Sequence, residues 1–237
     1  MAFNDLSDFI ALLEKRGHLK HIKTRVNPEL EITEITDRVS KGPLEKNMAL
    51  LFEKVEGSDF PVLINSLGHP QRMAWALGVD DLEELNQRLA ALIDLKLPQG
   101  FGPALARAND LLSALRAVGL KPNIVKKAPV QERVYTGDDV NLAKLPILKC
   151  WPQDGGRFIT LPTVISRDPD TETRNVGMYR LQVYDRRTLG MHWQIHKGGA
   201  EHTRAAQETG VEGIPVAVSL GGVESLVSMP RYTSHAA

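Results

Sequence analysis

Residues 174–199 read Arg174-Asn-Val-Gly-Met-Tyr-Arg-Leu-Gln-Val-Tyr-Asp-Arg-Arg-Thr-Leu-Gly-Met-His-Trp-Gln-Ile-His-Lys-Gly-Gly199. Two runs that mix apolar and polar residues flank a polar turn at Asp185. Runs of this kind, joined by a short turn, are typical of paired antiparallel strands. The stretch therefore predicts a hairpin with strands at 175–184 and 189–196, and it indicates an antiparallel sheet rather than a doubly wound fold.

The second predicted strand carries a row of polar side chains. Because successive side chains in a strand point to opposite faces, His192, Gln194 and His196 share one face. Met191, Trp193 and Ile195 share the other. A strand that lines a polar pocket and backs onto a core has this pattern, and so does an edge strand whose polar face meets water. His202 follows closely, so three of the seven histidines lie near one another in the sequence.

The first predicted strand places a charged residue, Arg180, in its middle, where a charge is costly unless it is paired or exposed. Arg180 shares a face with Met178 in this strand. A hairpin loop of odd length would place Arg180 opposite Gln194 and Met178 opposite His196, so that both polar rows line one pocket. A loop one residue longer or shorter would separate the two rows.

Several groups in this stretch suit an anionic ligand. Arg180 offers a planar fork for a carboxylate or phosphate, and Lys197 offers a point charge. Gly198 allows close approach of the backbone at the start of a predicted helix, whose N-terminus adds positive potential. Asn175 would face away from Arg180 by alternation, and a β-bulge at Gly177 is the hypothesis that returns both to one side.

The remainder of the chain divides at about residue 120. Before it, helix and strand patterns alternate, which predicts a small mixed α/β domain. Beyond a Pro- and Lys-rich connection, strand patterns dominate, which predicts an antiparallel sheet or small barrel. The predicted helices cover residues 6–16, 30–39, 80–95, 103–118 and 200–209. The other predicted strands cover residues 19–26, 49–55, 61–65, 133–135, 158–167 and 214–220.

Composition excludes several classes of protein. Twenty-nine basic residues balance 29 acidic ones, so the chain has no broad electrostatic footprint for nucleic acid. The single cysteine, Cys150, excludes an internal disulfide framework and fits a reducing compartment. No run approaches the roughly 18 apolar residues of a membrane span, and no secretory signal or glycine-rich nucleotide loop is present. These features predict a cytoplasmic protein. Contact with the inner face of the cell membrane through its substrate remains compatible with them.

Three motifs resemble the UbiD family of decarboxylases. They are Leu145-Pro-Ile-Leu-Lys-Cys-Trp-Pro-Gln-Asp-Gly-Gly-Arg-Phe-Ile-Thr-Leu-Pro162, Asn175-Val-Gly-Met-Tyr-Arg180 and His196-Lys-Gly-Gly199. The best-known members of the family are the 4-hydroxy-3-polyprenylbenzoate decarboxylases of ubiquinone biosynthesis. The resemblance implies an α+β protein in which a small N-terminal α/β domain (1–120) and a linker (121–132) precede a split β-barrel like that of flavin reductases (133–237).

The resemblance also implies prenylated FMN, Mn²⁺ and, in many members, K⁺ as cofactors. It implies an aromatic acid as substrate, a flavin prenyltransferase as the source of the cofactor, and homo-oligomers. Carried onto this chain, it makes Asn175 a metal ligand and His196 a second, less securely aligned one. It gives Arg180 the catalytic role of holding the substrate carboxylate. The flavin contacts that it implies are Met178, Tyr179, Arg180, His192, Trp193, Gln194, Lys197 and Gly198.

Residues 223–237 depart from the family pattern, and family members continue well beyond this point. The resemblance places the glutamate that completes the metal site, and the acid that protonates the product, in that later region. We therefore expect a fragment with an incomplete barrel, inactive alone. An FMN-dependent oxidoreductase on the same barrel and a non-catalytic interaction module remain as alternatives. Binding of flavin distinguishes the module from the two enzymes.

Overall fold

The structure, a computed structural model, describes residue 3, residues 5–93 and residues 126–221. The helices are α1 Leu6–Lys15, α2 Glu31–Ser40, α3 Pro70–Ala76, α4 Leu82–Ile93 and α5 Gly198–Glu208. The strands are β1 Leu19–Ile22, β2 Ala49–Phe52, β3 Val62–Ile64, β4 Phe158–Ile159, β5 Thr163–Arg167, β6 Arg174–Met178, β7 Leu181–Val183, β8 Leu189–Met191 and β9 Val216–Ser219. No helix in these ranges is both long and apolar enough to cross a bilayer.

The N-terminal part is a three-stranded sheet with helices packed on it, as predicted. β1 pairs with β2 in parallel, and β2 pairs with β3 antiparallel. The carboxylate of Asp5 accepts hydrogen bonds from the backbone N–H groups of Ser7 and Asp8, which fixes the start of α1. Gly17 follows the helix with a φ of 69°, in the left-handed region that favours glycine. The predicted α2 and α4 are confirmed, and the predicted helix 103–118 lies outside the described residues.

Helix α3 was not among the predicted elements. Pro70 occupies its first turn, and the ring Nδ1 of His69 accepts a hydrogen bond from the N–H of Gln71. The helix has only seven residues, too few for a periodic pattern, and its third residue is the charged Arg72. A proline at the first helical position was the available signal.

The side chain of Arg72 is fully buried beneath this sheet. Its guanidinium donates to the backbone oxygens of Asn47 (2.6 Å), Asn65 (3.0 Å) and Ser66 (3.2 Å) and to Oδ1 of Asn47 (2.8 Å). No described carboxylate forms an ion pair with it. Burial lowers the pKa of Arg72 to about 10, so the group remains a cation at neutral pH. It ties α3 to the loops beside β2 and β3.

The imidazole of His21 lies between two carboxylates at the surface of the same sheet. Nδ1 lies 2.7 Å from Oε1 of Glu53, and Nε2 lies 2.6 Å from Oε1 of Glu14. The hydrogen bond to Glu53 and then that to Glu14 raise the pKa of His21 above its ordinary value. When protonated, His21 joins α1 to the end of β2 by two ion pairs.

We expect this contact to make the fold more stable at mildly acidic pH. Between 6.5, the ordinary pKa, and the raised pKa of the folded state, the folded protein holds a proton that the unfolded chain has released, so stability falls as pH rises. From about pH 6 to about pH 9, urea denaturation should show a larger loss for the wild type than for His21→Gln. Surface screening keeps the difference below about 1 kcal/mol.

His18 serves as a control because its pKa is shifted in the opposite direction from that of His21. Burial, then the charges of His69 and Arg72, lower the pKa of His18. Its contribution to stability is therefore present above pH 6.5 and lost as pH falls below that value, because the unfolded chain takes up the proton first. His18→Gln should alter the acid side of the stability profile only. The same pH profile for the wild type and His21→Gln would contradict the prediction.

Residues 142–149 connect the second part of the chain to the first. The N–H of Leu30 donates to the oxygen of Lys149 (2.9 Å), and the N–H of Lys149 donates to the oxygen of Pro28 (3.2 Å). The side chain of Leu148 packs against the core cluster of the N-terminal sheet, which contains Ile32, Leu50 and Phe52. The two parts therefore share an interface of backbone hydrogen bonds and apolar contacts.

The second part holds two open, three-stranded antiparallel sheets, in the orders β4-β7-β8 and β6-β5-β9. The predicted antiparallel arrangement and the predicted helix at 200–209, observed as α5, are confirmed. The described strands do not form a closed barrel. Residues 133–135, predicted as a strand, have no regular structure.

Three of the predicted strands have different limits in the structure. The strand predicted at 158–167 is two strands, β4 and β5, on either side of Pro162, which has no N–H to donate to a ladder. The strand predicted at 175–184 is also two, β6 and β7, and these belong to different sheets. The strand predicted at 189–196 ends at Met191.

Candidate functional site

The link between the two sheets, Tyr179 and Arg180, lies at the centre of the candidate site. Strand β6 pairs one-to-one with β5, with Asn175 opposite Ser166 and Gly177 opposite Val164. The predicted bulge at Gly177 is therefore wrong. A Cβ at Gly177 would lie 2.5 Å from Cε2 of Tyr179, so glycine is required here because the tyrosine ring lies across the backbone.

The hydroxyl of Tyr179 joins β6 to α5. It accepts hydrogen bonds from Nδ2 of Asn175 (3.0 Å) and from the N–H of Gly199 (3.1 Å). The ring centroid of Tyr179 lies 5.0 Å from that of Trp193, with 33° between the planes. Tyr179 is only 6 % exposed, so these contacts are made in the interior.

Two glycines allow the start of α5 to approach these side chains. A Cβ at Gly198 would overlap the amide oxygen of Asn175, and a Cβ at Gly199 would overlap the ring of Trp193. Lys197 precedes the helix in an extended conformation, and no side chain caps it. Within the described ranges, the N–H groups of Gly198 and Ala200 have no hydrogen-bond partner. Free N–H groups and the helix dipole together favour an anion here.

Arg180 is exposed, and its guanidinium carbon lies 4.9 Å from the centre of the Phe158 ring. The hairpin loop has an odd length, which is one of the two alternatives that the sequence left open. However, Val183 pairs with Leu189, so the register differs from the predicted one. Arg180 therefore lies beside His192, whose N–H donates to the Arg180 oxygen (2.9 Å), and the predicted pairing with Gln194 is wrong by two residues. Arg180 forms no ion pair with any described residue.

The predicted polar row does not exist as a strand face. Because β8 ends at Met191, alternation does not govern the residues that follow it. His192, Gln194 and His196 are exposed in the turns between β8 and α5, and Met178 is 48 % exposed at the end of β6. The predicted pairing of Met178 with His196 is also wrong, because Met178 pairs with Thr163 in the other sheet.

His202, which is close in sequence to the predicted polar row, lies on α5 and packs against β5. Its Nδ1 lies 3.0 Å from Oγ of Ser166, and both residues are buried. This contact fixes α5 against β5. The structure thus brings together Asn175, Tyr179, Trp193 and Gly198, and it leaves His192, Gln194 and His196 at the surface.

The site offers one hard donor atom for a cation. The amide oxygen of Asn175 has no hydrogen-bond partner in the ranges that the structure covers, whereas its nitrogen donates to Tyr179. Oxygen of this kind suits Mn²⁺ or Mg²⁺. Nowhere in the described residues do three or more His, Cys, Asp or Glu side chains form a group that could hold a metal. Asn175 can therefore supply one ligand to a metal ion, and other groups would have to supply the remaining ligands.

A cavity of about 470 Å³ lies between the two parts of the chain. Sequence patterns did not indicate it, because its wall comes from segments far apart in the chain. The wall is mostly apolar and includes Phe60, Leu63, Leu145, Phe158, Leu161 and Leu220. Phe158, one of the wall residues, also contacts the guanidinium of Arg180.

Comparison with protein families matches both parts of the chain. Residues 10–92 match the 3-octaprenyl-4-hydroxybenzoate carboxy-lyase N-terminal domain, and residues 123–229 match the Rift-related domain of the same family, UbiD. A protein of Archaeoglobus fulgidus is 46% identical over 93% of this chain. The chain spans 44% of the length of that relative.

Solved structures give the same result. The UbiD-class enzyme HmfF from Pelotomaculum thermopropionicum in complex with FMN is 27% identical, with a TM-score of 0.71 over 92% of this chain and 43% of its own. An evolved dimeric form of HmfF in complex with prFMN has a TM-score of 0.67 at 26% identity, over 93% of this chain and 45% of its own. Vanillic acid decarboxylase of Sedimentibacter hydroxybenzoicus is 27% identical, with a TM-score of 0.73 over 97% of this chain and 49% of its own. The chain belongs to the UbiD family of carboxy-lyases.

Proposed function

We propose that this chain binds prenylated FMN and takes part in the non-oxidative decarboxylation of an aromatic acid. The observation that carries the proposal is the uncapped start of α5, where Lys197 and free N–H groups lie beside the amide oxygen of Asn175. A phosphate and a hard cation are the natural ligands of such a place. The FMN and prFMN in the matched HmfF structures support a flavin phosphate as the anion.

In this proposal, Lys197 and Gly198 bind the phosphate of the cofactor. Asn175 supplies one oxygen to Mn²⁺, with His196 as a second residue near the metal and K⁺ as a further cation. Because the described residues offer so few ligands, the phosphate and groups from elsewhere complete the shell. The start of α5 would hold the phosphate, and a bound cation would offset part of its negative charge.

Residues around the Tyr179–Arg180 link would contact the flavin ring. We assign this role to Met178, to the backbone of Tyr179, and to His192, Trp193 and Gln194. When bound, prenylated flavin supplies the electron-accepting centre for loss of CO₂. Arg180 would hold the substrate carboxylate, since its fork is exposed and unpaired among the described residues and rests on Phe158. In this reaction the bond to the carboxylate carbon breaks and a proton takes its place.

The substrate that we propose is 4-hydroxy-3-polyprenylbenzoate, in ubiquinone biosynthesis. The description of the matching family models and the apolar cavity beside Phe158 support it, because a prenyl tail gains free energy by leaving water. A flavin prenyltransferase would supply the cofactor. The protein would act in the cytoplasm, at the inner face of the membrane when its substrate is a lipid.

We further propose that β4–β9 form part of a split barrel, within a domain at 133–237 that follows an N-terminal domain at 1–120 and a linker at 121–132. The two open antiparallel sheets, joined at Tyr179 and Arg180, support this arrangement. The proposed assembly is a homo-oligomer. The dimeric form of HmfF supports this assignment at the level of the family.

Titration with FMN in the presence of Mn²⁺, followed by flavin fluorescence, tests the proposal. The wild-type chain should bind FMN. Lys197→Met should weaken binding by about tenfold, because a charge-assisted contact to phosphate is lost. Lys23→Met removes the same charge from an exposed position in the N-terminal part and should leave the affinity unchanged.

The absence of FMN binding by the wild type would contradict the proposal and favour a non-catalytic interaction module. Binding of FMN followed by hydride transfer to or from the bound flavin would favour an oxidoreductase.

A further inference from the structure

The hydroxyl of Tyr179 contacts two groups of the proposed cofactor site, although the hydroxyl itself is buried. It accepts one hydrogen bond from the amide nitrogen of Asn175 and one from the N–H of Gly199 in the first turn of α5. With a residue exposure of 6 %, the side chain serves neighbouring protein groups rather than an open surface.

The hydroxyl of Tyr179 and the start of α5 together orient the Asn175 amide. The two ends of an amide have nearly the same shape, so hydrogen-bond partners decide its orientation. The phenolic oxygen accepts from the N–H of Gly199 and from Nδ2 of Asn175, and Oδ1 faces Gly198 at the start of α5. A hydroxyl could also donate to Oδ1, so the positive end of the helix, which favours an oxygen over an N–H group beside it, decides between the two orientations.

The tyrosine is itself held in place. Its ring lies across Gly177, where a Cβ would come within 2.7 Å of the hydroxyl oxygen, and it packs against Trp193. The hydroxyl is therefore fixed before any ligand binds, which reduces the entropy that binding would cost.

We propose that Tyr179 is a positioning residue that orients the Asn175 amide oxygen toward a hard cation and holds the first turn of α5 for a phosphate. The inference rests on the proposed function, and it assigns Tyr179 an action through Asn175 and Gly199 rather than a side-chain contact with the flavin. It predicts that the hydroxyl, and not the ring alone, controls the affinity for the metal.

The variant Tyr179→Phe removes only the hydroxyl and keeps the ring on Gly177 and Trp193. In the presence of FMN, the dissociation constant for Mn²⁺, measured by electron paramagnetic resonance of the free ion, should rise by about tenfold or more. Tyr184→Phe is the matched control, because that ring is 64 % exposed and its hydroxyl has no hydrogen-bond partner among the described residues. Its Mn²⁺ affinity should equal that of the wild type.

A double-mutant cycle with Asn175→Asp separates orientation from general support of the fold. A carboxylate has two equivalent oxygens, so no orientation remains for the hydroxyl to set. In the Asn175→Asp background, Tyr179→Phe should therefore change the Mn²⁺ dissociation constant by less than about twofold. A merely structural role would give the same tenfold loss in both backgrounds.

The outcomes also separate this inference from the proposed function. If the wild type binds FMN and Mn²⁺ but Tyr179→Phe binds both as tightly, the positioning role is wrong and the proposed function stands. Equal losses in the two Asn175 backgrounds overturn the positioning role in the same way. If the wild type binds neither FMN nor Mn²⁺, the proposed function is wrong and the inference falls with it.

Discussion

Replacing Arg72 by methionine is expected to lower the free energy of unfolding by about 3 kcal/mol. The change leaves three backbone oxygens and Oδ1 of Asn47 without the donor that now satisfies them in the interior. Each unsatisfied buried group costs about 1–3 kcal/mol, and release of the desolvated charge offsets part of the sum. Methionine has a similar length, so it limits the cavity that the substitution creates.

Urea denaturation followed by circular dichroism measures this effect. Arg38→Met is the matched control: its side chain is 77% exposed and pairs with Glu34 one turn earlier in α2, so the loss should stay below about 0.5 kcal/mol. Arg72→Lys tests whether charge or geometry matters, because lysine keeps the charge but lacks the planar fork. It should be less stable than the wild type. If Arg72→Met is as stable as the wild type, the buried hydrogen bonds of Arg72 make no net contribution to the free energy of unfolding.

Gly199→Ala is expected to disrupt the candidate site most strongly. The added Cβ would overlap the ring of Trp193, and alanine otherwise favours a helix by about 1 kcal/mol over glycine. Overpacking has to exceed that gain, and we expect a net loss of about 2 kcal/mol in the free energy of unfolding. Displacement of Trp193 and of the Gly199 N–H should also weaken FMN binding by at least about tenfold.

Two measurements check this prediction together. Tryptophan fluorescence should shift to longer wavelength as Trp193 moves toward water, and the FMN titration should show the lower affinity. Gly213→Ala is the control, since no described residue, apart from Gly213 and its chain neighbours, has an atom within 4 Å of the position that its Cβ would occupy. It should leave both the fluorescence and FMN binding unchanged. If Gly199→Ala has the same tryptophan fluorescence and the same FMN affinity as the wild type, Trp193 does not hold the start of α5.

Local sequence signals predicted most of the helices and the strand-forming regions. The Asp5 cap and Gly17 mark the limits of α1, and apolar spacing places α2. These features depend on neighbours within one or two turns, which is why a single sequence can reveal them. Helix α3 was not predicted because a seven-residue helix that contains a buried charge has no amphipathic period.

The predicted polar row failed because alternation assumes that a strand continues. Strand β8 pairs with β7 only from Leu181 to Val183, since the chain at Tyr179 and Arg180 passes into the other sheet. Beyond the hydrogen bond from His192 to Arg180, no strand pairing between described residues includes residues 193–196, and they turn toward α5. His18, His21 and His69 likewise have no motif spacing in the sequence, yet His18 and His69 lie with ring centroids 5.2 Å apart.

The sequence by itself determined the family, through its three motifs, and it determined the mixed α and β content and the residue types of the candidate site. Only the tertiary structure decided that Tyr179 joins Asn175 to α5, that Arg72 is a buried cation held by neutral oxygens, and that Phe158 both contacts Arg180 and lines an apolar cavity. These features require contacts between residues from different elements, such as Asn47 with Arg72. Local propensity does not encode such contacts, because they depend on which strands pair and on how the elements pack.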